Sequence, residues 1–150
     1  VEIFQVPNNA DEPLRQQIFN LLMGQMDSVG ERNAEERLDR AIEETLEDDS
    51  PAYLFIAQHQ GEVLGAAFLN VGISLSKGGR YIWLNDLYVH KDHRQQGIAK
   101  KLLLHIIYWA ENNNLKGIEL ETGVNNQATK ALYNSLGFYD VVAKRYGFSF

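Results

Sequence analysis

Apolar positions along the chain follow two periods that change from segment to segment. Residues 1–6 alternate apolar and polar side chains as a short strand does, and Pro7 ends the run. Over 13–26, Leu14, Ile18, Leu21 and Leu22 fall at helical spacing, with Asp11 or Glu12 placed to cap the start. Residues 34–47 repeat that spacing with Leu38, Ile42 and Leu46 against charged faces, until Pro51 breaks it. The period then switches. Residues 53–58 and 63–71 are apolar and β-prone, and Gln60-Gly61 between them reads as a hairpin turn. Residues 76–80 form a polar, glycine-containing loop. Residues 81–90 are apolar almost throughout, which predicts a central strand covered on both faces. A strong helix follows over 97–110, with Ile98, Leu102, Leu103, Ile106, Ile107 and Ala110 on one broad face and Asn112-Asn113-Asn114 at its end. Residues 117–122 read as a strand. Residues 126–136 read as a helix whose small-residue face, Ala128, Ala131, Leu132 and Ser135, packs on the sheet. Gly137 stands where a left-handed cap is favoured. Residues 141–150 are expected to supply one or two closing strands.

The resulting order is β-α-α-β-β-β-α-β-α-β-β, a mixed α/β chain. Its central sheet of about seven strands is expected to be mostly antiparallel, with helices on both faces. The early strands are hairpin-linked and so antiparallel. The strand at 81–90, the helix at 97–110 and the strand at 117–122 make a crossover unit, hence a parallel pair. No repeat or low-complexity linker divides the chain, and the expectation is a single domain over 1–150.

Composition narrows the function classes. Among 150 residues there is no cysteine, which removes disulfides, thiolate metal sites and a cysteine nucleophile. The net charge of -6 disfavours general nucleic-acid binding, because phosphate neutralisation needs clustered cations. It suits a cationic acceptor such as an amine. No apolar run reaches the ~20 residues of a membrane span, and residues 1–4 lack a secretory pattern. The expectation is a cytoplasmic protein with no membrane or metal partner; a homodimer is left open.

Two segments carry chemistry. In the first, the strand at 81–90 leads through Lys91, His93 and Arg94 to Gly97 at a helix start, followed by Lys100 and Lys101. Free N–H groups at a helix N-terminus and the helix dipole favour an anion there, and glycine lets the backbone approach it closely. The plainer reading is a strand-to-helix turn with a solvated basic face. The segment is neither a P-loop nor a GxGxxG motif. In the second, Asn126 and Tyr133 stand two helical turns apart on one face, so an amide and a phenol point the same way. The plainer reading is a half-buried tyrosine whose hydroxyl finds a local partner.

Together these segments resemble the GNAT acyltransferase superfamily. Arg94-Gln95-Gln96-Gly97-Ile98-Ala99 fits its cofactor motif Arg/Gln-x-x-Gly-x-Gly/Ala. Asn126, Ala128, Leu132-Tyr133 and Gly137-Phe138 match its later signature, and Asp86-Leu87-Tyr88-Val89 is similar to its fourth strand. The element order fits over the whole chain. The resemblance implies an acetyl-CoA-dependent N-acetyltransferase that needs no metal. It places the pantetheine arm and acyl carbonyl along the backbone of Leu87, Tyr88 and Val89. The pyrophosphate falls on Arg94, Gln95, Gln96, Gly97, Ile98, Ala99 and Lys100. Asn126 is placed on the cofactor arm and Tyr133 near the thioester sulfur. Gln95 stands where many members carry glycine, which puts the loop's shape in question, and Ala99 replaces the last glycine. Some polyamine-type relatives carry Leu-Glu-Asp with the Glu as base. Here the triplet is Leu84-Asn85-Asp86, and asparagine cannot be a general base.

The reaction so implied is direct attack of an amine on the thioester. A lysine-like amine of pKa ~10.4 must lose a proton, at roughly 4.6 kcal/mol at pH 7. Asp86, expected at a bulge, is the candidate base; its alternative role is a strand residue bonded to backbone. Glu119 and Glu121 are weaker candidates, acting through water. Tyr133 is the candidate donor to the departing thiolate. His90 and His93 lack further metal ligands. Trp83 and Trp109 read as packing residues, and the acidic run at Glu43-Glu44 and Glu47-Asp48-Asp49 as a solvated helix end. The expected acceptor is a primary amine on a small molecule. Alternatives are a protein N-terminus or lysine, and a non-catalytic acyl-CoA-binding module.

Overall fold

A computed structural model describes residues 1–25, 33–122 and 127–150. Strand β1 (Glu2–Gln5) is followed by helices α1 (Glu12–Gln25) and α2 (Ala34–Thr45), then by strands β2 (Ala52–His59), β3 (Glu62–Ser74) and β4 (Gly79–Val89). Helix α3 (Ile98–Asn112), strand β5 (Ile118–Leu120) and helix α4 (Gln127–Ser135) complete the order. The sheet runs β1-β2-β3-β4-β5, antiparallel throughout except for the parallel β4–β5 pair. This is the crossover that the pattern over 81–122 predicts.

Local chemistry sets the boundaries. The Leu14 N–H donates to Asp11 Oδ1 at 3.0 Å, so Asp11 caps α1. Gln60 and Gly61 both have positive φ, 50° and 81°, as a two-residue hairpin turn of the favoured hand requires. Gly137 ends α4 at φ 93°, and the Phe138 N–H reaches back to the Tyr133 carbonyl at 3.1 Å.

Two apolar layers sandwich the sheet. On one face Ile82, Leu84, Phe55 and Leu69 pack with Leu102, Leu103 and Ile106 of α3 and Tyr133 of α4. On the other face Leu54, Ile56 and Ala66 pack with Ile18, Leu21 and Leu22 of α1 and Ile42 of α2. Trp109 stacks its edge on Phe55 at 5.3 Å and contacts Tyr53 at 5.0 Å, the packing role expected of it. Gly65 admits the first turns of α3. A Cβ there would meet the Tyr88 carbonyl oxygen at 3.1 Å and Ile98 and Leu102 carbons at 3.3 Å.

Three expectations need correction. Residues 136–150 contain no strand, so the described residues form five strands and not about seven. The segment carries strand-like apolar positions, but β5 offers an edge of only three residues, and Val142, Tyr146, Phe148 and Phe150 stay exposed. Strand β4 is not covered throughout: Ile82 and Leu84 are buried, whereas Asn85 and Asp86 are exposed. Helix α4 packs through Leu132, Tyr133 and Leu136; Ala128, Ala131 and Ser135 face outward. The larger side chains bury more apolar area and so set its rotation.

Candidate active site

The site is organised by one irregularity in β4. Phe68 pairs with Asp86 and Leu69 with Leu84, so Asn85 is an extra residue in the ladder. Its side chain is held by Asn70, whose Nδ2 donates to Asn85 Oδ1 at 2.8 Å. The bulge that the sequence suggests at Asp86 is therefore present one residue earlier.

The extra residue reverses which backbone groups face which neighbour. Before it, the Ile82 N–H donates to the Gly117 carbonyl, just ahead of β5, over 2.9 Å. After it, the His90 N–H donates to Leu64 on the β3 side at 2.8 Å. Both positions are even, yet they point to opposite sides. By strand alternation, the N–H and C=O groups of Leu87 and Val89 then face the β5 side. Among the described residues no strand is paired with them there, because the β4–β5 ladder ends at Leu84–Leu120. The two strands thus leave an opening lined by backbone polar groups that have no ladder partner among the described residues. One of these is already engaged: Arg94 Nε donates to the Val89 carbonyl at 3.1 Å. The same guanidinium lies 5.5 Å from the centre of the Tyr88 ring. Of the three residues expected to hold a cofactor arm, Leu87 and Val89 present backbone to the opening. Tyr88 turns its ring to the α1 face, among the side chains around Phe68.

At the end of this edge the chain turns into α3. Gln95 and Gly97 both adopt left-handed φ, 64° and 78°. Gln95 thus occupies a conformation that favours glycine, the residue the resembled motif often has there. Gly97 is the N-cap of α3 and supplies no side-chain hydrogen bond, so the N–H groups of Ile98, Ala99 and Lys100 have no intrahelical acceptor. A Cβ on Gly97 would meet nothing within 4 Å, so the approach to those groups is open. Gln96 and Lys100 are exposed beside it. Lys91, Lys100 and Lys101 form no ion pair among the described residues. The arrangement suits an anionic group of phosphate type.

The remaining candidates line two adjoining cavities. One, of about 630 Å³, is bounded by Trp83, Leu84, Asn85, Asp86, Glu121, Thr122 and Arg145. The other, of about 730 Å³, lies between β5, α4 and residues 136–145, and Tyr133, Lys130, Glu119 and Glu121 are on its wall. Glu121, Thr122 and Arg145 belong to both. Asp86 and Tyr133 therefore approach the end of β5 from opposite faces of the sheet and do not touch. Asp86 is exposed to the opening, yet the strands around it desolvate the carboxyl and raise its pKa. Burial likewise raises the Tyr133 phenol above its ordinary value. The Tyr133 ring is 9% exposed and packs edge-on against Phe138 at 5.5 Å. Its hydroxyl makes no hydrogen bond among the described residues. Glu119 is paired with Lys77 at 3.4 Å. Glu121 accepts from Arg145 Nη1 at 2.7 Å. Asn126 lies outside the described residues. His90 and His93 pack edge to face at 5.7 Å, with His90 Nδ1 accepting from the Asp92 N–H. Among the described residues no three His, Cys, Asp or Glu gather as a metal set, and no helix is long and apolar enough to cross a membrane.

Three contributors escape the sequence reading. Trp83 belongs to neither apolar layer and instead lines the Asp86 cavity. Its signal was parity: it alternates with Ile82 and Leu84, so it must face away from α3. The Arg94–Val89 tie and the placement of Arg145 on Glu121 are tertiary contacts without a sequence signal.

Known proteins resemble this chain in sequence and in fold. The human protein N-acetyltransferase 8 is 38% identical over 55 residues, covering 37% of this chain and 24% of that protein. The [Ribosomal protein bS18]-alanine N-acetyltransferase of Escherichia coli K12 is 36% identical over 62 residues, 41% of this chain and 42% of the relative. The chain thus spans less than half the length of these curated relatives. A crystal structure of a probable acetyltransferase superposes with a TM-score of 0.83 at 23% identity, covering 100% of this chain and 98% of the other, and so shares the fold. The sequence profile of the acetyltransferase (GNAT) family matches residues 15–138, which include the β4 bulge, the left-handed turn before α3 and Tyr133. The chain belongs to the acetyltransferase (GNAT) family.

Proposed function

We propose that residues 1–150 form one catalytic domain that moves an acetyl group from acetyl-CoA to a primary amine by direct attack, with a small-molecule amine as acceptor. The observation that carries this reading is the edge of β4 beyond Asn85. It presents the backbone of Leu87 and Val89 to an opening and leads straight into an uncapped helix start at Gly97. An extended amide-bearing arm can pair along such an edge as an added strand does, while its phosphates lie at the helix N-terminus.

Acetyl-CoA, when bound, supplies the acyl thioester. The N–H of Leu87, which has no ladder partner among the described residues, hydrogen-bonds the carbonyl oxygen and stabilises negative charge developing on it. The acceptor nitrogen forms the new C–N bond as the C–S bond breaks. Asp86, desolvated and raised in pKa, takes the amine's proton directly or through water. Tyr133 donates a hydrogen bond to the sulfur. Burial makes its proton harder to lose, so it acts as a donor that keeps its proton, and solvent protonates the thiolate.

A second reading has one observation in its favour. With Asn85 in place of a glutamate, Asp86 is the base within the opening. A peptide α-amine of pKa ~7.7–8.0 needs only about 1 kcal/mol to be neutral at pH 7, against ~4.6 for an alkylamine. That favours an N-terminal acceptor, in line with the name of the Escherichia coli relative.

The deciding experiment is an acetyl-CoA consumption assay against diamines, amino acids, aminoglycosides and short peptides. Turnover of a small amine supports the first reading, and turnover of peptides alone the second. Acetyl-CoA binding with no acceptor turned over would make the chain a binding module and overturn both.

A further inference from the structure

Resting on the acetyltransferase reading, we infer that Tyr88 is a positioning residue for the cofactor: its ring is the surface on which the Arg94 guanidinium is held at the phosphate-binding turn before α3.

Arg94 stands immediately before the turn. Its backbone is extended, φ −73° and ψ 163°, and the next residue, Gln95, is left-handed at φ 64°. A side chain disfavours that left-handed conformation, so contacts from outside the turn help to hold it. Arg94 supplies two ties back to β4. Its Nε donates to the Val89 carbonyl at 3.1 Å, and its guanidinium carbon lies 5.5 Å from the centre of the Tyr88 ring. Arg94 is exposed, and a long exposed side chain without such ties samples many rotamers. With Nε engaged on Val89, the two terminal nitrogens make no hydrogen bond among the described residues. They are left for an anion, and a planar guanidinium can take two phosphate oxygens at once.

The ring is itself fixed, which separates a built support from a passing surface contact. Tyr88 pairs with Ala66, a residue 1% exposed, and packs against the α1–α2 layer. Its hydroxyl end reaches α1, 3.9 Å from where a Cβ on Gly24 would stand. Adjacent residues of β4 thus divide the work. Val89 offers a carbonyl at the opening, Tyr88 offers a π face anchored on the core, and Arg94 bridges the two. A leucine at 88 fills the core without a face for the cation, whereas a phenylalanine keeps the face and loses only the hydroxyl. Packing and positioning can therefore be told apart.

The test is a calorimetric titration of the intact folded chain with coenzyme A. Tyr88→Leu is expected to weaken binding about 3–10-fold, as loss of one partly exposed cation–π contact allows, and Tyr88→Phe to stay within about twofold of the wild type. Arg94→Gln alone weakens binding roughly tenfold or more, as loss of a charged hydrogen bond to phosphate does. In that background Tyr88→Leu changes the affinity by less than about twofold, because the ring then has no cation to hold. A packing role would give Tyr88→Leu the same effect in both backgrounds. Arg94→Lys alters an exposed position and leaves the core intact, so it reads the role even if Tyr88→Leu unfolds. It keeps the charge but loses Nε and the planar fork, and affinity falls severalfold. Wild-type affinity in Tyr88→Leu or Arg94→Lys, a loss in Tyr88→Phe equal to that in Tyr88→Leu, or additive effects in the double variant overturn the inference. Titration of the wild type separates the two levels. A folded wild type that takes up no coenzyme A refutes the acetyltransferase reading and this inference with it, whereas normal uptake that Tyr88→Leu leaves unchanged refutes the positioning role alone.

Discussion

Asp86 sits where the sheet would be more stable without its charge. Its folded-state pKa is raised by desolvation, and Asp86 makes no ion pair among the described residues. The sign follows from linkage: such a carboxyl stabilises the fold fully below its unfolded pKa, and that contribution is lost as pH rises through the folded value. Asp86→Asn is therefore expected to match the wild type in urea midpoint at pH 3 and to exceed it at pH 7, while lowering acetyl transfer. A lower midpoint for the variant at pH 7 would mean that the carboxylate holds the bulge together. Tyr133 is likewise buried and raised, so it remains protonated at neutral pH. Tyr133→Phe keeps the ring against Phe138 and removes only the donor. We expect kcat to fall roughly a hundredfold or more, as for loss of one well-placed transition-state donor. Affinity for acetyl-CoA should hold, because the turn at Gly97 is untouched. Steady-state kinetics beside calorimetry check this; unchanged kcat would make Tyr133 a packing residue.

At the scale of elements, the decisive piece is the passage from β4 into α3. Gly97 at φ 78° has open space where a Cβ would stand. Gly97→Ala should thus cost only the left-handed conformation, about 1–2 kcal/mol of stability, visible in urea unfolding. It should weaken acetyl-CoA binding at least tenfold, because the added methyl stands where a phosphate would approach the helix N–H groups. Equal loss of stability with normal affinity would reduce the loop to a turn. Much of this passage was legible. Glycine before the run Ile98, Leu102, Leu103 and Ile106 marked the helix start, and Asp86 in an apolar strand pointed to the bulge. The reversal of backbone direction at Asn85 was not legible, because register depends on how β3 is spaced against β4 and not on β4 alone. Trp83 reads as packing in the sequence because an apolar residue in a strand usually is; only the two-layer core reveals that it belongs to neither layer. The expected strands over 141–150 rested on local β propensity. Propensity without a partner edge does not make a strand, and β5 offers three residues.

At the scale of the whole molecule, two packed layers hold one sheet between them, and the opening between β4 and β5 is where we propose that acyl-CoA lies. Ile98 and Leu102 clamp α3 onto Gly65 on one side, and α1 and α2 close the other. The measurement that bears on this most directly is a calorimetric titration of the folded protein with acetyl-CoA, with NAD and ATP as controls and thermal unfolding in parallel. We expect one site for acetyl-CoA. Saturation should add about 2.7 kcal/mol of stability at a hundredfold excess over Kd, a rise in Tm of roughly 5–10 °C for a chain of this size, with no comparable rise for NAD or ATP. A folded sample that takes up no acyl-CoA, or responds equally to all three nucleotides, would contradict it.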